Sequence, residues 1–302
     1  TIEDGIANEA IKSALAAEDY AKLAQALTVK VIHIAERDTQ VSDKPKLLNE
    51  FVNTWSVEGL YEEGVAPAEL GWGTHEKKLP PLAYEHQTGP KTQIAIAQPG
   101  AKTWVRSWVP DMEITGMVIR HGEAFTIPDH LTVWDGEKAV YRPTVHYAYC
   151  PTDAAIASLR ELEHRNWDLT ENQRIMNDEI IDGNDRLGVL LMGHPYKSWW
   201  TGSLLSIHDS RKLIPNQSAT TVQVGSAVFA AVAWILKNPN KGILVPDDMP
   251  WREVLAYAEK YWGGFHSAPA DWTPIDNRTD FFEGWNGKEY DSDPWQFSNF
   301  LI

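Results

Sequence analysis

Residues 32–40 read I-H-I-A-E-R-D-T-Q, and residues 51–64 read F-V-N-T-W-S-V-E-G-L-Y-E-E-G. In the first stretch Ile32 and Ile34 alternate with polar neighbours, which is typical of a strand. A dense polar cluster closes that stretch. In the second, an apolar run leads into Trp55, and acidic residues follow closely. A strand that ends in charge commonly presents side chains at the rim of a cleft. We therefore expect these two stretches to form part of a binding site.

Acidic residues accompany Trp55 on both sides along the chain, with Glu36 before it and Glu63 after it. Carboxylates around an indole can bind a cation, because the ring face is electron-rich and the carboxylates add negative charge. The same residues also fit a core tryptophan surrounded by solvated acids, since structural ion pairs use the same groups. Spacing alone leaves both interpretations open.

The composition indicates a folded protein with a strong negative charge. The chain has 302 residues, 43% hydrophobic and 23% charged, with a net charge of −15. Nucleic acid and anionic membranes are therefore poor partners and a small cation is a natural one, although such a charge also serves solubility. Cys150 is the only cysteine, which excludes an internal disulfide and fits a reducing, cytoplasmic compartment. An uninterrupted apolar run near 18 residues is lacking, so we predict no transmembrane helix.

Short apolar runs alternate with turn residues through the middle of the chain. This pattern predicts an α+β or α/β fold, with a mixed, mostly antiparallel sheet and flanking helices. The predicted strands are 29–35, 94–98, 103–108, 114–119, 124–127, 131–134, 145–149, 187–192 and 198–207, and the predicted helices are 8–27, 152–163, 221–236 and 250–260. The residues after 260 are predicted to form an irregular tail.

Common catalytic signatures are missing from the sequence. It has no G-x-G-x-x-G, Walker A, H-E-x-x-H or G-x-S-x-G pattern, and one cysteine cannot build a cysteine-based metal site. We therefore predict no metal. His121 follows an apolar run and precedes a glycine, a position that suits either an acid/base group or a structural histidine. Asp185 closes the turn-forming sequence D-G-N-D at 182–185, which is also ambiguous.

Six motifs, in order and with similar spacing, resemble the bacterial homospermidine synthase family of the saccharopine dehydrogenase-like group. The motifs are I-H-I-A-E-R-D-T-Q (32–40), F-V-N-T-W-S-V-E-G (51–59), P-A-E-L-G-W-G-T (67–74), Q-P-G-A-K-T-W-V-R-S-W (98–108), Y-R-P-T-V-H-Y-A-Y (141–149) and S-D-P-W-Q-F-S-N (292–299). The similarity extends from about residue 29 to the last residue, so it is far more specific than any one pattern.

The resemblance implies an aminoalkyl transferase that condenses two putrescines into sym-homospermidine and ammonia. Spermidine can serve as aminobutyl donor in this family. A tightly held NAD takes a hydride from the amine-bearing carbon to give an imine. After the second amine has attacked, the hydride returns, so NAD behaves as a prosthetic group.

The same resemblance implies a role for each candidate site residue. Trp55 matches the residue that stabilises cationic intermediates by a cation–π contact, and Glu36 matches the carboxylate closest to the reacting amine. Glu63 matches a second site carboxylate, His121 a histidine for substrate positioning or proton transfer, and Asp185 a carboxylate that holds the distal ammonium. Glu36, Trp55 and His121 are thus the predicted catalytic residues, and all five are predicted to contact substrate.

One part of the family pattern has no counterpart in the sequence. Family members begin with a Rossmann domain that carries the glycine-rich loop. We therefore expect the main NAD site to lie outside this chain and expect the isolated chain to be inactive or very weakly active. Residues 1–215 are predicted to form the substrate domain. Residues 216–302 are predicted to pack toward the cofactor domain, in an enzyme that is a homodimer.

Three alternatives to this prediction can be distinguished experimentally. Acidic, tryptophan-rich sequences with pairs such as Glu36 and Glu63 also occur in glycoside hydrolases. A polyamine-binding or oligomerisation module would bind putrescine without turnover. A saccharopine- or carboxynorspermidine-type dehydrogenase would need an arginine clamp for its carboxylate substrate. Arg106, Arg120 and Arg142 are available for such a clamp, but no motif groups them.

Overall fold

The computed structural model describes residues 8–87, 93–278, 282, 285 and 290–302. Its strands are β1 (Val31–Asp38), β2 (Val41–Ser42), β3 (Phe51–Asn53), β4 (Pro67–Gly71), β5 (Ala83–Glu85), β6 (Gln93–Pro99), β7 (Trp104–Val109), β8 (Met112–Met117), β9 (Val133–Asp135), β10 (Lys138–Tyr141), β11 (Thr144–Cys150), β12 (Gln173–Ile175), β13 (Ile180–Asp182), β14 (Asn184–His194), β15 (Lys197–Ser206) and β16 (Phe265–Ala270). Its α-helices are α1 (Glu9–Ala16), α2 (Tyr20–Ala26), α3 (Val57–Val65), α4 (Glu123–His130), α5 (Asp153–His164), α6 (Ile207–Leu213), α7 (Ala219–Lys237), α8 (Trp251–Ala258) and α9 (Phe297–Phe300).

Within the described residues, ten strands form one sheet in the order β16-β15-β14-β1-β11-β4-β6-β5, with β8 bonded to β11 and β7 to β8. Only the β1–β11 pair in this sheet of described strands is parallel. The predicted mixed, mostly antiparallel sheet with flanking helices is therefore confirmed.

Strand β1 lies near the centre of this sheet and is almost entirely buried. Its β-branched residues suit a strand with both faces covered. Because side chains alternate between the two faces, His33 and Ala35 face the larger apolar core, to which Phe297 and Phe300 of α9 contribute. Glu36 lies on the opposite face, where it is buried beside Tyr147 and Tyr149. The acidic end of β1 therefore marks one face of the sheet as chemically distinct.

Two sequence predictions near the termini are wrong. The single helix predicted for 8–27 is two helices, because Glu18 adopts a positive φ of 53° and Asp19 caps α2 by accepting from Lys22 N–H. The tail after residue 260 contains β16, which pairs with β15 along the sheet edge. Its sequence F-H-S-A-P-A includes Pro269 and lacks strand alternation, so only tertiary pairing reveals this edge strand.

The strand predicted for 124–127 is also wrong, because these residues form part of α4. A short apolar run does not distinguish a strand from a buried helix segment. Ala124 and Pro128 of α4 pack against Gly71 so closely that a Cβ there would lie 2.3 Å from Pro128 Cγ. The other predicted strands are confirmed to within about four residues at each end, the uncertainty usual for such boundaries.

Helix α7 qualifies the prediction of no transmembrane helix. By length and composition alone it could span a membrane, with 19 residues and a mean hydropathy of 1.7. One apolar side of this helix is exposed. That side consists of Val224, Val228, Phe229, Val232, Ile235 and Leu236. Its opposite side carries the buried polar residues Thr220, Gln223 and Ser226, which hydrogen-bond within the protein.

Candidate active site

Three buried carboxyl groups lie on one face of the sheet, where β1 ends and β14 begins. Asp38 is the cross-strand partner of Asp185, and Glu36 is two residues away from Asp38 on the same face. All three side chains are buried, Asp38 and Asp185 completely. The antiparallel register of β1 and β14 therefore concentrates acid in a place where ordinary cores are apolar.

Two tyrosines on β11 lie directly beside this acid cluster. Tyr147 and Tyr149 lie on the same face as Glu36, because Tyr149 is its partner in the parallel register. The Tyr147 hydroxyl donates to Glu36 Oε2 at 2.5 Å. The Tyr149 hydroxyl accepts from Trp55 Nε1–H at 2.8 Å. One strand thus positions both the carboxylate and the indole.

Trp55 reaches the cluster from the turn between β3 and α3. Ser56 caps α3 by accepting from Gly59 N–H, which fixes the turn directly after the indole. Gly59 leaves space for the ring, since a Cβ at that position would lie 2.7 Å from Trp55 Cζ3. The ring is only partly buried, and one part of it borders a cavity.

That cavity has a volume of about 160 Å³. It is lined by Glu36, Trp55, Glu63, Ile119, His121, Tyr147, Tyr149, Leu187, Thr220 and Val224. Val224 also begins the exposed apolar side of α7, so the cavity opens beside that helix. The site therefore combines acids, aromatic rings and an open edge.

A histidine and two glutamates form a second polar group at this cavity. Glu63 Oε1 on α3 lies 3.9 Å from His121 Nε2, and His121 Nδ1 hydrogen-bonds with Glu123 at the start of α4. Burial raises the pKa of Glu63 to about 7, against the lowering effect of His121. Burial lowers the pKa of His121, but the hydrogen bond and charge of Glu123 outweigh it and raise this pKa overall. This group can therefore exchange protons near neutral pH.

Asp38 and Asp185 differ in the number of hydrogen bonds that their carboxyl oxygens accept. Asp38 accepts hydrogen bonds from Thr54 Oγ1 (2.6 Å) and from the backbone and side-chain nitrogens of Gln40 (2.8 and 3.0 Å). Asp185 Oδ2 contacts Thr220 Oγ1 at 2.7 Å, whereas its Oδ1 has no N–H or hydroxyl donor among the described residues. Burial raises the pKa of Asp38, but these donors counteract the rise by stabilising its ionised form, whereas Asp185 is left incompletely solvated.

This acid cluster lacks a basic counterion among the residues that the structure describes. No lysine or arginine in the described ranges forms an ion pair with Glu36, Asp38 or Asp185. Burial raises the pKa of Glu36 well above its ordinary value, and the negative charge of Asp185 adds to the rise. Burial and the charge of Asp38 raise the pKa of Asp185 to about 8. Buried acids without partners favour an external cation.

Four of the five predicted site residues line the cavity together: Glu36, Trp55, Glu63 and His121. Asp185 does not line it but lies behind it, bound to the lining residue Thr220. The sequence prediction missed Asp38, Tyr147, Tyr149 and Thr220. The first three could have been found from period-two alternation along the quoted motifs, whereas Thr220 could not, because α7 follows β1 by about 180 residues.

The three arginines considered for a carboxylate clamp lie apart from this cavity. Arg106 binds Glu113 and the Pro274 carbonyl. Arg120 lies 3.6 Å from Glu69, and the guanidinium of Arg142 lies 5.7 Å from the Trp134 ring centroid. None of the three lines the cavity, so the site lacks the grouping that a carboxylate substrate would need.

The chain's own residues do not fit the pyrophosphate of a dinucleotide. Such a site needs a glycine-rich turn that runs from a strand directly into a helix. The G-x-G-x-x-G pattern is absent from the sequence, and Gly71-Trp72-Gly73 after β4 leads into a turn and not a helix.

The chain thus combines a mostly antiparallel sheet with a cavity lined by acidic and aromatic side chains. The family model of the saccharopine dehydrogenase C-terminal domain matches residues 7–264, and the chain belongs to this family.

Particular relatives narrow this assignment. Homospermidine synthase from Blastochloris viridis is 47% identical over 288 residues, and that from Mesorhizobium japonicum is 46% identical over 289 residues, each match covering 94% of this chain. The chain spans 60% and 59% of the length of these two relatives. A crystal structure of homospermidine synthase from Legionella pneumophila in complex with NAD has a TM-score of 0.90 and 42% identity, covering 94% of this chain and 61% of that one.

Proposed function

We propose that this chain carries the substrate-binding and catalytic side of a homospermidine synthase. The enzyme would condense two putrescines, or spermidine and putrescine, into sym-homospermidine in a reaction that depends on NAD. The observation that carries the proposal is the cavity beside Trp55, where the acids Glu36, Asp38 and Asp185 have no basic partner among the described residues. The identity of 46–47% with homospermidine synthases over 94% of the chain supports the same reaction.

The dimensions of the cavity favour a thin ligand. Its volume of about 160 Å³ is well below the roughly 300–1,000 Å³ of ordinary drug-sized pockets. A linear diamine fits such a space, whereas an oligosaccharide needs a longer cleft. The negative charge selects further, because each ammonium of the diamine can replace one of the missing counterions. These features support a diamine over the glycoside considered above.

Each lining residue then receives a chemical role. The Trp55 face would stabilise the cationic substrate and its iminium by about 0.5–2 kcal/mol, depending on desolvation. Glu36 would bind the reacting amine, and Tyr147 orients its carboxyl group through Oε2. His121 and Glu63 would move protons at the outer amine. Asp185 would attract the distal ammonium from behind Thr220.

NAD would be held mainly by a part of the enzyme outside these residues, and when bound it would supply the hydride acceptor. The exposed apolar side of α7, which begins at the cavity with Val224 and extends to Leu236, is a suitable surface against which that part would pack. This interpretation retains residues 1–215 as a substrate domain and 216–302 as the region that faces the cofactor domain. We also propose that the enzyme is cytoplasmic and forms a homodimer.

The test is product formation by the native, NAD-loaded protein. Incubation with putrescine is expected to give sym-homospermidine and ammonia in equal amounts, with no net reduction of added NAD. Hydrolysis of aryl glycosides without any homospermidine would contradict the proposal. The 302-residue chain alone is expected to form no product, and NAD-dependent synthesis by it would contradict the external cofactor site.

A binding module without catalysis is the second candidate, because residues of this chain line the acidic cavity. Calorimetric titration of the native protein with putrescine separates the two. Binding with no turnover in the presence of NAD would favour the module, and binding with homospermidine formation would favour the enzyme.

A further inference from the structure

The Thr220 hydroxyl, at the start of α7, connects two buried carboxyl groups. Its oxygen lies 2.7 Å from Asp185 Oδ2 and 3.1 Å from Asp38 Oδ2. It also accepts from Gln40 Nε2 at 3.2 Å. A hydroxyl carries one proton, so it cannot donate to both carboxylates at once. A proton on one of the two carboxyl groups would satisfy both contacts.

That additional proton belongs on Asp185. Asp38 accepts from Thr54 and twice from Gln40, and such donors stabilise the ionised form. Asp185 has Thr220 alone at Oδ2 and no N–H or hydroxyl donor at Oδ1 within the described part of the chain. A consistent arrangement has the Asp185 carboxyl O–H donating to Thr220 and the Thr220 O–H donating to the Asp38 carboxylate.

Glu36 extends this arrangement toward the cavity. Its hydrogen bond with Asp185 lowers the pKa of Asp185. A neighbouring carboxyl group has this effect only when it is the donor. The donors then run from Glu36 to Asp185, from Asp185 Oδ2 to Thr220, and from Thr220 to Asp38.

We propose that Thr220 is a positioning residue that holds a shared proton between Asp185 and Asp38 in the empty pocket, and that an arriving diamine displaces this proton to solvent. The inference rests on the proposed diamine function and adds a proton exchange to it. Asp185 loses its O–H proton to the buffer as the ammonium arrives. Thr220 then turns its own proton from Asp38 to Asp185, and Asp38 keeps its three other donors.

Other titratable groups face the same pocket, and their proton release has to be distinguished from that of Asp185. Glu36 is on β1, Tyr149 on β11 and Glu63 on α3, with His121 and Glu123 at α4. Arg37 lowers the pKa of Asp185 slightly by its charge. The pKa of Glu63 is about 7, so above pH 8 it contributes little further proton release. Asp185, with a pKa of about 8, changes in that range.

The experiment is calorimetric titration of the native, NAD-loaded protein with putrescine in two buffers of different ionisation enthalpy, from pH 7 to 9.5. We expect about one proton released per putrescine near pH 7.5, falling toward none above pH 9 as Asp185 ionises in advance. Thr220→Val removes a donor to the ionised Asp185. The pH at which proton release falls should therefore rise by roughly 0.5–1 pH unit. Thr220→Ser should restore the original position.

Thr221→Val is the matched control. It removes a hydroxyl from the same helical turn, but that hydroxyl contacts the Thr54 carbonyl and Ser218, and no carboxylate. Its proton release should follow that of the unmodified protein. Clear putrescine binding with a heat independent of buffer would overturn the shared proton, as would equal curves for Thr220→Val and Thr221→Val. No putrescine binding at any pH would instead overturn the proposed function itself.

Discussion

Two groups of buried acids in this molecule differ in whether a guanidinium accompanies them. Glu50, before β3, receives two hydrogen bonds from Arg174 at 2.7 and 3.0 Å, and Arg174 lowers its pKa to about 2. Glu36 and Asp185, at the end of β1, have no such partner among the described residues, and burial raises both pKa values. Since an acid paired within the protein has no need of a ligand, the first group is structural. The second is arranged to receive a cation.

The largest expected effect comes from removing the guanidinium of Arg174 from the paired group. Arg174→Met leaves Glu50 and Glu179 without their guanidinium, and loss of one partner of a buried pair costs about 3 kcal/mol. We expect the free energy of unfolding in urea to fall by that amount and putrescine affinity to stay unchanged. Arg160→Met, at an exposed arginine of α5, is the control. A large loss of affinity in Arg174→Met would show that the two groups are not independent.

Glu36→Gln should show the reverse pattern. Loss of one hydrogen bond to a charged partner costs about 1.5–3 kcal/mol, so putrescine affinity and turnover should fall roughly 10- to 100-fold. Stability should be maintained or increased, because a buried carboxyl group is replaced by a neutral amide that can still accept from Tyr147.

Glu50→Gln is the matched substitution for Glu36→Gln, since it makes the same chemical change in the paired group. It should lower the melting temperature and leave turnover intact. If both variants lost stability equally and kept full activity, the distinction between the paired and unpaired acids would be wrong.

Trp55 tests the aromatic part of the unpaired group. Trp55→Ala should reduce kcat/KM by roughly 2- to 30-fold, the range of a cation–π contact. Trp55→Phe should lose less, because phenyl retains a weaker electron-rich face. Steady-state kinetics of the two variants in the native enzyme decide between them. Equal losses would indicate that the indole only packs and does not stabilise charge.

The smallest expected effect is the dependence of folding stability on pH. Between pH 7 and 9 the unfolded chain has no proton on Asp185, whereas the folded, ligand-free protein loses one near its pKa of about 8. Glu63 and Glu76, each with a pKa raised by burial to about 7, act in the same direction. Stability should therefore fall as pH rises, by roughly 1 kcal/mol for Asp185.

Melting curves at pH 7 and 9 measure this effect, with Asp185→Asn as the variant that should flatten it. Putrescine should raise the melting temperature more at pH 9 than at pH 7, because the pocket is then more fully ionised. A greater stabilisation at pH 7 would contradict the assigned protonation.

The sequence was a good guide wherever function depends on a local pattern. The alternation at Ile32, Ile34 and Glu36 predicted β1 and its acidic end, and the resemblance placed Trp55 and His121 at one site. Both positions line the observed cavity. These features are readable because a strand's period and a continuous motif involve only neighbouring residues.

The sequence was a poor guide wherever a contact joins distant segments. Thr220 meets Asp38 across 182 residues, and Tyr149 meets Trp55 across 94. Helix α4 was mistaken for a strand because its short apolar run fits either element until Gly71 packs against it. Tertiary packing decides such cases, and periodicity carries no information about it.

The most direct test of the unpaired acids is to compare three ligands of nearly equal length on the native, NAD-loaded protein. Putrescine carries two ammonium groups, 1-aminobutane one and 1,4-butanediol none. If the cavity is a receptor for a dication, calorimetry should give the order putrescine, 1-aminobutane, butanediol, with the affinity for putrescine falling as salt increases. Equal affinities for putrescine and butanediol would contradict the account, because the cavity would then recognise shape and not charge.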